Sequence, residues 1–309
     1  MLTYIVGDIF QSPAHVLVNT VNTVGVMGKG IAKKFKAIYP EMFEQYRRLC
    51  ESKKLTVGKV WLYKTPNKWI LNFPTKTTWR KPSELEYIEA GLKAFVNGYA
   101  ERGISSIAFP TLGCGNGELD WNKQVRPVME KYLKRLPIDI FIYLYGKDGS
   151  LPEHKDIKKT AEWLRAEPET LAFSEVWMDL RSLISTGINL KSFDKELEFH
   201  VKCLEDDQGI QISLTNKDEY IFYDELLSFW NFFQSYGFGY PAILPAAVAS
   251  YHNYLLALFE KLPYCREIIL SRDYKSLNTK HARGIQYIPR PAVPYPMYHH
   301  EPAKHLVAV

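Results

Sequence analysis

The order of apolar and polar positions divides the chain into two halves of different rhythm. In the first, short apolar runs alternate with stretches where apolar residues return every three or four positions. Leu2–Val6, His15–Asn19, Lys59–Tyr63, Trp69–Phe73, Ile104–Phe109 and Ile138–Tyr145 read as strands. Ile31–Ala37, Pro40–Cys50 and Asn122–Leu136 read as helices. So does the segment opened by Ser83, where Ser83 and Glu86 suggest a capping box. Its apolar face is Leu85, Ile88, Leu92, Phe95, Val96 and Tyr99, and Gly103 is its candidate C-cap. Strands alternating with helices predict an α/β domain with an internal sheet covered on both faces.

The polar stretch Gly146–Lys159, with Gly146, Gly149 and Pro152, reads as a domain boundary. The expected domains are 1–148 and 149–309. Beyond the boundary, Thr160–Ile184 is mainly helical in pattern, broken near Pro168. Leu197–Leu204 and Ile210–Leu214 form a strand pair around the turn Asp206–Gly209, and Asp224–Tyr236 and Ala247–Leu262 are helical. This is the pattern of a smaller α+β domain. The tail 285–309 holds five of the 18 prolines and predicts extended chain.

At 309 residues, 46% hydrophobic and 24% charged, the chain is long enough for two globular domains and excludes wholesale disorder. Its net charge of +5 conceals an asymmetry. Residues 1–150 carry 22 Lys and Arg against 13 Asp and Glu, and residues 151–309 carry 17 against 21. A basic half favours an anionic ligand, and an acidic half a different partner. Cys50, Cys114, Cys203 and Cys265 have no zinc-site spacing. No metal is expected. The N-terminus lacks a basic, apolar leader and no window is apolar enough to span a bilayer, so no membrane association and a reducing cytoplasm are the expectations.

Three loops follow predicted strands, where ligands bind in α/β sheets. The first is Gly7-Asp8-Ile9. Asp8 suits either an exocyclic amine, such as adenine N6, or the cap of a turn. The second runs from Asn19 through Asn22 to Gly25, Val26, Met27, Gly28, Lys29, Gly30 and Ile31. Its glycines let the backbone approach a ligand, and a helix N-terminus follows. Its spacing is not that of a P-loop. Lys29 is either a ligand contact or a solvated lysine; Asn19 and Asn22 are polar amides in an apolar run. The third is Thr111, Leu112, Gly113, Cys114, Gly115, Asn116 and Gly117, a second anion-cradling loop. Cys114 has no base near it in sequence and reads as packing. Two such loops with an Asp and two Asn imply a diphosphate-containing ligand.

In order and spacing these segments resemble the ADP-ribose-binding loops of a macrodomain, over about residues 1–145. Asn72-Phe73-Pro74-Thr75-Lys76-x-x-Trp79-Arg80 followed by Ser83-x-Leu85 is similar to the DarG branch, the antitoxins that oppose a DNA-ADP-ribosylating toxin. The resemblance implies a three-layer α/β/α sandwich with a mixed sheet. It implies that Asp8 reads the adenine amine, with Ile9 assisting through its backbone. Asn22 would lie by the distal ribose as a catalytic residue together with Lys76, and the two glycine loops would wrap the diphosphate and that ribose. Lys76 would act at the anomeric carbon through a covalent lysyl intermediate. Trp79 and Arg80 would contact base or DNA, although Trp79 also suits a core. The family loop often continues Gly-Gly-Leu where this chain has Gly117-Glu118-Leu119. A carboxylate there repels a diphosphate unless it points outward.

The implied activity is a glycosyl hydrolase releasing ADP-ribose, as ligand and product with no cofactor, from ADP-ribosylated single-stranded DNA. Thymidine is the expected base. The alternatives are a non-catalytic ADP-ribose reader, and an interaction protein whose acidic residues 149–309 sequester a DarT-like toxin. The run Lys217–Glu225 is acidic and aromatic, suited to a partner surface or a solvated helix N-terminus. His299 and His300 are expected in solvent.

Overall fold

The computed structural model describes residues 1–144, 151–271 and 282–288. The chain forms two compact units, one of Met1–Ala161 with Ala172–Val176, the other of Glu162–Leu171 with Trp177–Val309. The boundary expected at 148 lies outside the described residues, and the first unit extends past it to Ala161. Residues beyond it pack with that unit because they carry charged partners for its loops.

The first unit holds a six-stranded sheet: β1 (Leu2–Val6), β2 (Val16–Val21), β3 (Trp61–Lys64), β4 (Trp69–Pro74), β5 (Ser106–Pro110) and β6 (Asp139–Leu144). Their order is β1-β6-β5-β2-β4-β3. All neighbours are parallel except β3, antiparallel to β4, so the sheet is mixed. The helices are α1 (Gly30–Ile38), α2 (Pro40–Glu51), α3 (Leu85–Gly98) and α4 (Arg126–Leu133). Alternation along each strand sorts the side chains. Val16, Val18, Leu71, Phe73, Ile107, Phe109, Ile140 and Ile142 face the core shared with α3 and α4. Leu17, Val21, Ile70, Ala108 and Tyr143 face the core shared with α1 and α2. Two covered faces explain why these strands read as apolar runs without clean alternation.

Two local expectations change. Helix α3 starts at Leu85 behind Glu84, with no side-chain cap, so the Ser83–Glu86 capping box does not form. Ser83 is buried and its N–H donates to Gly117 O at 3.0 Å. The helix also ends earlier, at Gly98, and Gly103 closes a later turn at φ +73°. The α4 segment opens with a π-helical turn, Trp121–Val125, capped by Asp120.

The second unit is α+β. It contains α5 (Ile157–Arg165), which begins in the first unit, and α6 (Phe173–Leu183), whose first turn belongs to the first unit. An antiparallel sheet follows: β7 (Ile188–Lys191), β8 (Glu198–Cys203), β9 (Gly209–Ser213) and β10 (Asp218–Phe222). Then come α7 (Tyr223–Tyr236) and α8 (His252–Phe259), with β11 (Phe238–Gly239), β12 (Cys265–Leu270) and β13 (Ala282–Tyr287) in a small third sheet. The run Lys217–Glu225 is thus an edge strand plus the first turn of α7, with Tyr220 and Phe222 exposed. The expected extended tail begins inside β13. His299, His300 and the rest of it lie outside the described residues.

Helix α3 meets the sheet where Gly91 lies on Phe73. A Cβ at Gly91 would fall 2.3 Å from Phe73 Cζ. Gly91→Ala is therefore expected to lower the stability of the first unit by about 1–3 kcal/mol through overpacking, despite alanine's higher helix propensity. Chemical denaturation followed by tryptophan fluorescence checks this, and a raised midpoint contradicts it.

Candidate active site

Because β1, β2, β4, β5 and β6 are parallel, their carboxyl ends share one edge, and the loops after β2, β4 and β5 are adjacent there. Each loop is built by named contacts. Asn22 takes its amide into the turn it begins: Nδ2 donates to Val26 O at 2.7 Å, and Oδ1 accepts from the N–H of Val24 and of Val26. Tyr46 donates to the same residue's carbonyl at 2.8 Å, and burial holds the phenol protonated, well above its ordinary pKa. Val26 and Met27 are both buried, Met27 within the core shared with α1 and α2, so backbone rather than these side chains lines the loop. The N-terminus of α1 follows at Gly30 and Ile31, where the first amides have no intrahelical partner. Lys29 Nζ donates to the carbonyl of Leu151.

The loop after β5 folds back on itself. Cys114 N–H donates to Thr111 O, and Leu119 N–H to Gly113 O at 3.0 Å. Leu112 and Cys114 are buried, and the Cys114 thiol donates to Leu112 O, as suits packing. Gly115 is exposed and Asn116 half-buried. The Asn116 amide lies against Gly30, where a Cβ would come within 2.9 Å of its Nδ2. The two glycine loops therefore face each other.

Lys76 stands where they meet. It follows β4, and the β4 and β2 loops are tied by Thr75 N–H to Val21 O and by Thr23 Oγ1 to Thr77 O at 2.8 Å. Lys76 is 7% exposed. Its Nζ donates to Asn116 O at 2.6 Å and lies 3.7 Å from Glu153 Oε2. Burial lowers its pKa below the ordinary lysine value, opposed by the charges of Glu153 and Glu118. A buried amine with a depressed pKa has the lone pair that nucleophilic chemistry requires.

Asp8 and Ile9 follow β1 at the same edge, with β6 between β1 and β5. Asp8 caps a short helical turn, its carboxylate accepting from Phe10 N–H at 3.1 Å, and Ile9 is fully buried. Asn19 is buried on the α1–α2 face and pairs with Asn72, its register partner on β4, at 2.9 Å. Among the described residues, Asn19 Oδ1 and Asn72 Nδ2 find no further partner.

Trp79 differs from its expected place against nucleic acid. It is fully buried, and its Nε1 donates to Glu175 at 3.0 Å. Arg80 grips the same carboxylate with both terminal nitrogens at 2.6 Å and lies 4.0 Å over the Trp79 ring. Arg80 keeps some exposure, but its fork is engaged. The pair clamps the first turn of α6, which Ser174 also ties to Val24 O. The clamp holds the Lys76 loop; it is not a stacking platform.

Sequence reasoning gave Asn72 no role beyond its place in the motif, and missed Glu153 and Glu175. Asn72 had the signal that marked Asn19, a polar amide in an apolar strand. Glu153 and Glu175 had none, since what singles them out is burial against distant cations. Among the described residues, no three His, Cys, Asp or Glu side chains are placed to hold a metal, and no helix is long and apolar enough to cross a membrane.

Known proteins match this same region. The Macro domain family matches residues 18–128. The DNA ADP-ribosyl glycohydrolase of Mycobacterium tuberculosis is 45% identical over 147 residues, 46% of this chain and 42% of its own. A DNA ADP-ribosyl transferase–DNA ADP-ribosyl glycohydrolase fusion protein of Thermosipho africanus is 40% identical over 162 residues, 46% of this chain and 42% of its own. The chain thus matches less than half the length of these relatives. Among solved structures, the macrodomain of Mycobacterium tuberculosis DarG is 46% identical over 47% of this chain and 99% of its own, with a TM-score of 0.46.

The clamp gives a test of the local architecture. Removing one partner of a buried, bidentate pair strands the other, so Glu175→Ala is expected to destabilise the first unit by about 3 kcal/mol. Thermal and denaturant unfolding measure it, and an unchanged midpoint contradicts the clamp. Taken together, the loops, the sheet that carries them and the matches over the same residues place the first unit of this chain in the macrodomain family, similar to its DarG branch.

Proposed function

We propose that the first unit is an ADP-ribosyl glycohydrolase that frees ADP-ribose from DNA bases, thymidine foremost, and that the chain is the antitoxin to a DNA ADP-ribosyltransferase. The observation that carries this is the Lys76 amine, nearly excluded from water where two anion-cradling loops meet. The identity shared with a DNA ADP-ribosyl glycohydrolase supports the same substrate.

In this scheme the loop amides, the α1 N-terminus and Lys29 hold the diphosphate, and the distal ribose falls at Lys76. The neutral amine attacks the anomeric carbon. A C–N bond to lysine forms as the bond from that carbon to the base breaks. The base nitrogen leaves with the bonding pair and takes up a proton. Water then adds at the same carbon, the lysine departs with its pair, and the amine regains a proton. No cofactor is required. Single-stranded DNA is the favoured form, since a modified base inside a duplex is out of reach.

The partner proposal rests on the Thermosipho africanus relative, which joins transferase and glycohydrolase in one protein, and on the acidic balance of residues 151–309. That balance suits a basic, DNA-binding partner. Among the described residues the four cysteines form no disulfide, which fits a reducing cytoplasm.

Lys76→Ala is expected to reduce release of ADP-ribose from ADP-ribosylated single-stranded DNA by about a thousandfold or more while ADP-ribose binding persists. Undiminished turnover refutes the assignment of Lys76. Tight binding by wild type without release from DNA, RNA or protein makes the domain a reader instead. Because the neutral amine is the reactive form, the rate should rise with pH and level off below the ordinary lysine pKa. A limb that keeps rising to that value contradicts the buried amine.

A further inference from the structure

The residues just before α5 make contacts that the scheme above leaves unused. The Leu151 carbonyl accepts from Lys29. Glu153 Oε2 lies 3.7 Å from Lys76 Nζ. His154 Nε2 is 2.7 Å from Glu118 Oε2, and Lys155 Nζ pairs with the other oxygen of Glu118. All these contacts end on the loops after β2, β4 and β5, so a segment expected to be a linker closes onto the site.

Among the described residues, Glu153 is the carboxylate within ion-pair distance of the lysine. It is 7% exposed, and a buried carboxylate is strongly destabilising without cations. Lys76 from the β4 loop, Lys29 from the β2 loop and His154 from its own turn supply them; Glu118 lies beyond, acting on Lys76. Burial raises the carboxyl of Glu153 and lowers the amine of Lys76, so the two groups approach each other in proton affinity.

Glu118 explains how the turn is held. It stands at φ +64°, the left-handed region, which disfavours a side chain by roughly 1–2 kcal/mol. A glycine would sit there freely. The contacts of its carboxylate with His154 and Lys155 offset that strain and neutralise its charge beside the anion loops. The departure of Gly117-Glu118-Leu119 from Gly-Gly-Leu is thereby accounted for.

We propose that Glu153 is the positioning and proton-accepting partner of Lys76, held over the amine by the anchoring of His154 and Lys155 on Glu118. It rests on the glycohydrolase assignment for its role in turnover. The step balances simply. The ammonium of Lys76 passes one proton to the carboxylate of Glu153, giving a neutral amine and a neutral acid. After the amine attacks, the acid returns that proton to the departing base nitrogen. The lysine, released by water, leaves as the ammonium.

The test uses the full chain and the variants Glu153→Gln, Glu153→Asp, Glu118→Gln and the double Glu153→Gln/Glu118→Gln. On ADP-ribosylated single-stranded DNA, Glu153→Gln is expected to lower kcat by at least about tenfold with KM changed less than about twofold. Glu153→Asp should recover part of the loss. Glu118→Gln should lower kcat less, and add nothing in the double variant. In parallel, the Lys76 amine is titrated by carbon NMR at its Cε, assigned with Lys76→Ala. Glu153→Gln should move its midpoint to lower pH, because the carboxylate that favours the ammonium is gone. A merely structural glutamate would not move that midpoint. Wild-type kcat in Glu153→Gln, an unmoved midpoint, or additive effects of the two substitutions each overturn the proposal. If wild type releases no ADP-ribose, the functional assignment fails by itself, and the titration still decides the Lys76–Glu153 pair.

Discussion

A primary amine held out of water organises the first unit. The Lys76 amine donates to the Asn116 carbonyl and lies beside Glu153, with Glu118 acting on it from farther away. In solvent the amine would be an inert ammonium at neutral pH. Desolvation alone would make it reactive but leave it unplaced. The loop carbonyl gives it a direction, and the carboxylate limits the electrostatic cost of burying it. Each of the three loops at the sheet edge contributes to this balance. So does a segment beyond the sheet that looks in sequence like a tether.

The sheet makes the arrangement possible because its parallel strands put several loops at one edge. Packing keeps them there. Asn22 spends its amide shaping the β2 loop, and Tyr46 buttresses it from α2. Trp79 and Arg80 fix the β4 loop to Glu175, so a residue about a hundred positions away helps set where Lys76 sits. The first unit therefore depends on chain well past the last strand of its sheet.

The layers of the fold were legible because apolar runs of strand length alternate here with stretches of helical periodicity, and the glycine loops because their residues are contiguous. Three things were not. The Ser83 capping box was a sound local expectation, defeated when Ser83 was taken up in packing against the Gly113–Leu119 loop. Trp79 carried two readings that only burial separates. Glu153 and Glu175 act through ion pairs across long stretches of chain, and local pattern says nothing about such pairs. Glu118 was visible as an oddity; its reason became apparent only with His154 and Lys155 beside it. In the second unit the strands β7 and β10 to β13 went unread, being short or polar-faced.

In the proposed scheme the Lys76 amine bonds to the anomeric carbon during turnover. An N-linked ribose in equilibrium with its open-chain imine is trapped irreversibly by borohydride. The full chain, mixed with ADP-ribosylated single-stranded DNA, quenched with borohydride and digested for mass spectrometry, should carry ADP-ribose on the peptide containing Lys76. Turnover with that peptide unmodified, or with the adduct on another residue, would contradict the account.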